Sequence, residues 1–258
     1  MDKFLKTMIV AVAALSPLTQ AHAQEETSNK VDAYIAADVV SHYVWRGQDK
    51  GGVSIQPKAG ISWKGLKLNL EGNAGLETSE DKELDVTLSY EKFGFNIGVI
   101  DYWVSGIDKN DRYFHYDKKG AHQFEANIGY TCKYGSLQLY TIFWGNDFKI
   151  SGERAYSSYA QLDIPFKLGG LDWNIGVGGT FYESAGQLDV ISEGTTTEST
   201  KRMKNYYYAD GPTCVMASVR ATKTLDLGVM HLPVFAEVNA NPYLQTAHML
   251  FGVTISPF

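Results

Sequence analysis

The chain has 258 residues, 44% of them apolar and 20% charged, which suits one large domain or two small ones and excludes disorder over most of its length. Mean hydropathy is −0.21, and the only long uncharged apolar stretch, residues 7–23, carries Pro17 at the extreme N-terminus, so a helical transporter or receptor is excluded. The 23 basic and 29 acidic residues leave a net charge of −6, which repels polyanions and excludes general affinity for nucleic acid.

At the N-terminus, Lys3 and Lys6 precede the apolar run 8–15 and the small-x-small site Ala21-His22-Ala23. This is the pattern of an export signal, 1–23, followed by a mature domain, 24–258. The apolar run is far shorter than the roughly 20 residues that a membrane anchor needs. No Cys follows the cleavage site, so lipoprotein processing is not indicated.

Composition then favours strands and tight turns: Tyr 16, Phe 12, Trp 5 and Gly 25. Leu84, Val86, Leu88 and Tyr90 alternate with Asp85, Thr87, Ser89 and Glu91, which gives a strand one apolar and one polar face. The pattern recurs at Leu66–Leu70, at Phe124–Tyr130 and at Leu171–Val177, and less cleanly at 215–221 and 232–238. About twelve runs follow: 33–46, 53–63, 66–77, 83–92, 93–104, 122–132, 136–147, 155–165, 171–182, 212–223, 230–239 and 246–256. Several have the length of about 9 to 11 residues with which a tilted strand crosses a membrane. Short links (64–65, near 92, 133–135) alternate with longer ones (48–52, 78–82, 105–121, 147–154, 183–211). The fold class expected is an all-β, closed antiparallel transmembrane barrel of about 12 strands, with short periplasmic turns and longer extracellular loops, in a Gram-negative outer membrane.

Aromatic placement fits that expectation, because Tyr and Trp favour membrane–water interfaces. Trp63, Tyr90, Phe93, Tyr130, Tyr134, Phe166 and Trp173 fall beside short turns; Tyr43, Trp45, Tyr102, Trp103, Trp144, Tyr156, Phe181 and Tyr182 fall beside long loops. A soluble sandwich also buries aromatics, but it does not account for their segregation to strand ends. The chain ends in Phe258, as many outer-membrane barrels do.

The string Ser41-His42-Tyr43-Val44-Trp45-Arg46-Gly47, followed by Ile55-Gln56-Pro57, resembles the opening of the TorF family of outer-membrane porins. His42 stands where that family usually has Asp. The resemblance covers residues 33–77 well and the remainder only by hairpin layout. It implies an outer-membrane pore without naming a solute.

Strand parity places Asp38, His42 and Arg46 on one face, opposite Ala33, Ile35, Ala37, Val39, Ser41, Tyr43 and Trp45. The three polar residues are either a binding ladder for a polar solute or part of a cross-strand ion-pair network. The same parity puts Lys58, Lys67, Glu71, Asp85, Glu125 and Arg220 in the lumen, together with Glu91, Asp163 and Glu237. With about twelve strands the barrel holds a narrow pore at most, which fits a porin-like channel for small hydrophilic solutes. The alternative is a non-conducting barrel with an adhesive or lipid-modifying role. Adhesion would rest on the 183–211 loop and Tyr206-Tyr207-Tyr208, a triple that also reads as interface girdle. An enzyme finds little support: Ser41 and His42 point to opposite faces, no Gly-x-Ser-x-Gly appears, and His115, His122, His231 and His248 are scattered singly, so no cofactor, catalytic residue or metal is expected. Cys132 and Cys214 fall at opposite ends of the expected barrel and should stay unbonded.

Overall fold

Apolar and polar side chains alternate along nearly every strand, and closing the sheet on itself gives each face its own solvent. The computed structural model describes residues 30–77, 82–105, 112–117, 120–149, 152–182, 187–188, 203–204, 207, 209, 211–228 and 230–257. The export signal 1–23, Phe258, Tyr206, Tyr208 and most of 183–211 lie outside the described residues.

The elements in chain order are β1 (Asp32–Val40), β2 (Tyr43–Trp45), β3 (Gln48–Gly51), β4 (Ser54–Trp63), β5 (Leu66–Gly75), β6 (Lys82–Lys92), β7 (Phe95–Val104), β8 (His122–Cys132), β9 (Gly135–Trp144), β10 (Ser158–Leu168), β11 (Leu171–Thr180), β12 (Gln187–Leu188), β13 (Met203–Lys204), β14 (Thr213–Asp226), β15 (His231–Asn241) and β16 (Thr246–Ile255). Twelve of them, β1, β4–β11 and β14–β16, form one closed antiparallel barrel, sealed where β1 pairs with both β4 and β16. Closure gives every wall strand a hydrogen-bonded neighbour on both sides, the condition for a sheet in hydrocarbon.

One row across the wall shows the outer face: Leu68 pairs with Leu88, Leu88 with Val99, and Val99 with Ala126. Leu88 is 52% exposed, and the large exposed apolar side chains recur on the outer face of every barrel strand. A surface of this extent is far beyond the few hundred Å² of apolar patch tolerated in water. It makes the chain a membrane β-barrel.

At one end the strands are joined by two-residue turns, Lys64-Gly65 and Phe93-Gly94, with positive φ at both positions. These are the type I′ turns that match strand twist. The other end carries the longer connections. On β7 and β8 the outward-facing Asp101 and His122 pair through Nδ1 at 2.8 Å, while His122 Nε2 meets the Tyr113 carbonyl. This pins part of the 105–121 connection against the wall. Cys132 and Cys214 are both free thiols.

The first run differs from its expectation. It does not continue from 33 to 46 as one strand: β1 ends at Val40, the chain bends at Ser41 and His42, and 43–51 fold back as the β2–β3 hairpin. Its turn is Arg46-Gly47, with φ of 49° and 78°. That dipeptide has the same X-Gly form as Lys64-Gly65 and Phe93-Gly94. The parity assigned to Tyr43 and Trp45 therefore fails, and both point into the interior rather than to an interface belt.

Candidate functional site

The hairpin carries Arg46 into the lumen. Gly47 at its tip is held by a hydrogen bond from the Asn241 side-chain amide to its carbonyl oxygen, 3.2 Å. A Cβ at Gly47 would stand 1.9 Å from the Val215 carbonyl oxygen, so the hairpin packs against β14 through bare backbone. Arg46 itself accepts a positive φ, an unusual backbone state for a residue with a side chain.

Its guanidinium meets Glu125 of β8 in a two-pronged pair, Nη1 to Oε1 and Nη2 to Oε2, each 2.8 Å. Glu125 accepts further hydrogen bonds from the Tyr102 hydroxyl, at 2.8 Å, and from the Tyr207 hydroxyl. Four rings enclose the cation: Tyr140 at 4.1 Å from the guanidinium carbon, Trp45 and Tyr159 at 4.6 Å, and Tyr207 at 5.4 Å. Glu125 is wholly buried, and around it Ile142, Tyr159, Tyr207, Ala209 and Val215 form an apolar cluster joined by Trp45, Tyr140 and Tyr243. A paired charge with saturated hydrogen bonds satisfies the condition under which such a group persists inside a protein.

This arrangement corrects the girdle assignment of Trp45, Tyr102 and Tyr207. Each hydroxyl or ring is drawn inward by the Arg46–Glu125 pair, and Tyr102 reaches it because its position on β7 faces the lumen. Room for Tyr159 comes from across the sheet: a Cβ on Gly178 would stand 1.9 Å from the Tyr159 hydroxyl oxygen.

The remaining lumen residues fall into three groups. Lys58 pairs in register with Glu71, Glu71 with Asp85, and Asp85 with Tyr102, so a polar row leads along the wall to Arg46. Lys58 Nζ donates to Asp38 at 2.8 Å, and Thr254 donates to the other Asp38 oxygen at 2.7 Å. Lys67 bonds Glu91 at 2.5 Å beside the Lys64-Gly65 turn. Arg220 bonds Glu237 at 2.6 Å on the opposite wall, where Phe235 lies 4.2 Å from its guanidinium carbon. Asp38, Arg46, Lys58, Glu125 and Arg220 are thus engaged in pairs, and His42 lies away from them at the wide-loop rim, beside Asp49. Buried side-chain atoms without a hydrogen-bond partner occur on Gln48, Ser54, Asp85, Gln123, Asn127 and Asn239, all facing the interior. His248, expected to stand alone, faces inward on β16 with its ring centroid 5.1 Å from that of His42.

Apart from Asp163, the charged residues named from parity on the wall strands lie within the cross-strand pairs just described. The aromatic enclosure was missed, because Trp45 and Tyr207 read as interface aromatics and nothing in sequence ties Tyr140 or Tyr159 to Arg46. The signal that could have found it is Arg46-Gly47 read as a turn.

No family model matches this sequence, and no curated protein does. Among solved structures, the chain is similar to one from work on the mechanism behind the in-meso crystallization of membrane proteins, at 8% identity and a TM-score of 0.43, covering 87% of this chain and 82% of that one. It is also similar to Salmonella typhi OmpF in complex with daunomycin, at 11% identity and a TM-score of 0.36, covering 88% of this chain and 98% of that one. The membrane-barrel assignment stands on the chain's own strand pairing and its apolar outer face.

Proposed function

We propose that this protein is a narrow outer-membrane channel for small hydrophilic solutes, held closed at rest by the Arg46 hairpin. The observation that carries the reading is the polar lumen: Lys58, Glu71, Asp85 and Tyr102 stand side by side around its wall, and buried polar atoms on Asp85, Asn127 and Asn239 are left for water or solute. Buried polar atoms without protein partners cost free energy unless water reaches them. The resemblance of residues 41–47 and 55–57 to the TorF family supports the same location and role.

Charge sets the preference. Asp38, Glu71, Glu83, Asp85 and Glu125 surround Lys58 and Arg46, an acidic excess of the kind that lines cation-selective pores. Small cations and neutral polar solutes are therefore favoured over anions. The complete burial of Glu125, Ile142, Tyr159 and Val215 supports a closed resting state, and a permanently closed barrel is the competing reading.

Liposome swelling with sugars of graded size tests the proposal. The expected result is slow entry of the smallest sugars with the wild type and faster entry with an Arg46→Ala, Glu125→Ala double variant. Impermeable liposomes with both folded proteins would overturn it.

A further inference from the structure

A second polar cluster lies at the rim with the long connections, on the seam where β1 meets β16, and the Arg46–Glu125 pair does not use it. His42 occupies the bend between β1 and β2, Asp49 lies on β3, and His248 is on β16. The two imidazole rings stack nearly parallel, 15° apart, with centroids 5.1 Å from each other. Asp49 Oδ1 stands 2.9 Å from His42 Nε2, yet that buried nitrogen makes no directed hydrogen bond. The same oxygen accepts the Gly51 N–H at 3.2 Å. One donor atom from each of the three residues lies within 4.8 Å of the other two.

The backbone holds these segments together. Ser41 N–H donates to the Phe251 carbonyl at 2.8 Å, and Phe251 N–H donates to Ser41 Oγ at 2.9 Å. His42 and His248 come from opposite ends of the chain, and this double contact sets the distance between them.

We propose that His42, Asp49 and His248 form a binding site for a divalent transition-metal cation, with zinc the best-fitting ion. Two arguments converge. Two imidazoles and one carboxylate suit zinc and its neighbours, whereas calcium and magnesium select oxygen donors. A donor spacing of at most 4.8 Å is a side-chain rotation away from what metal–ligand distances of about 2.0–2.1 Å require. A fourth coordination position would be open to water or to an external ligand.

A metal here would clip the β2–β3 hairpin to β16 and so hold Arg46 in the lumen. Binding does not depend on conduction, so swelling experiments can fail while the metal site stands, and the converse holds as well.

The full protein, folded in detergent, treated with EDTA and desalted, is titrated with Zn²⁺ by calorimetry and with Co²⁺ by visible absorption. One saturable site per chain is expected, with absorption bands of nitrogen-ligated Co²⁺. His248→Ala and Asp49→Asn should each weaken binding by about tenfold or more, on the scale by which even indirect ligand support matters. A His42→Ala, His248→Ala double variant should lose the site. His115→Ala and His231→Ala serve as controls and should leave it intact. Heat-dependent gel mobility establishes that every variant is folded; Asp49, half exposed on the hairpin, is the substitution least able to disturb folding. Absence of saturable Zn²⁺ uptake by the folded wild type, or unchanged affinity in the folded double variant, would overturn the proposal.

Discussion

Arg46 shows how one side chain organises the interior. A guanidinium that is 6% exposed and faces a fully buried carboxylate contributes through the pair and not through either member alone. Removing one partner strands the other charge in a medium that cannot solvate it, at a cost of about 3–5 kcal/mol, whereas removing both exchanges the pair for space and water. Arg46→Ala and Glu125→Ala should therefore each lower the urea midpoint of barrel unfolding in lipid vesicles more than the double variant does. Two single-variant losses that simply add in the double would show that the pair is not coupled. Little of this was legible in the sequence. The charges at 46 and 125 were visible and their common face was inferred, but pairing across 79 positions depends on closure of the barrel, and Arg46 reaches Glu125 only because the strand expected to continue to residue 46 turns back at Ser41.

At the scale of elements, period-2 alternation carried most of the information, because each wall strand meets hydrocarbon on one face and a polar interior on the other. β6 illustrates it: Leu84, Val86 and Leu88 face outward and Asp85, Thr87 and Ser89 inward, as the alternation requires. Where only one face meets each solvent, the register is strongly specified. Leu88→Arg should cost about 2–4 kcal/mol at mid-membrane, while Thr87→Arg, one position away, points a charge into a polar lumen and should be much milder. Folding yield into bilayers of defined thickness, measured by heat-dependent gel mobility, compares the two; equal yields would contradict the assigned faces. Alternation failed in β2 and β3 because the hairpin leaves the wall: Trp45 and Gln48 pack inside the barrel while Asp49 and Lys50 stand exposed at its rim. Neither face of the hairpin is part of the outer wall, so no single face had to be apolar. His42 and His248 were seen only singly: a closed barrel makes the first and last strands neighbours, but the bend at Ser41 and His42 that brings His42 over His248 was not legible.

For the whole molecule, a twelve-stranded wall closes around a lumen, and Trp45 of the hairpin packs inside it with Tyr207 against Ile142, Tyr159 and Val215. A narrow polar passage closed by a removable plug is the central claim. Single-channel recording across a planar bilayer under a salt gradient tests it most directly, comparing the wild type with a variant in which residues 41–53 are replaced by a short glycine linker. Small, infrequent currents are expected from the wild type, a severalfold larger and steady conductance from the linker variant, and a reversal potential of cation-selective sign set by Glu71, Asp85 and Glu125. A folded, inserted linker variant that passes no current, or one that selects anions, would contradict it.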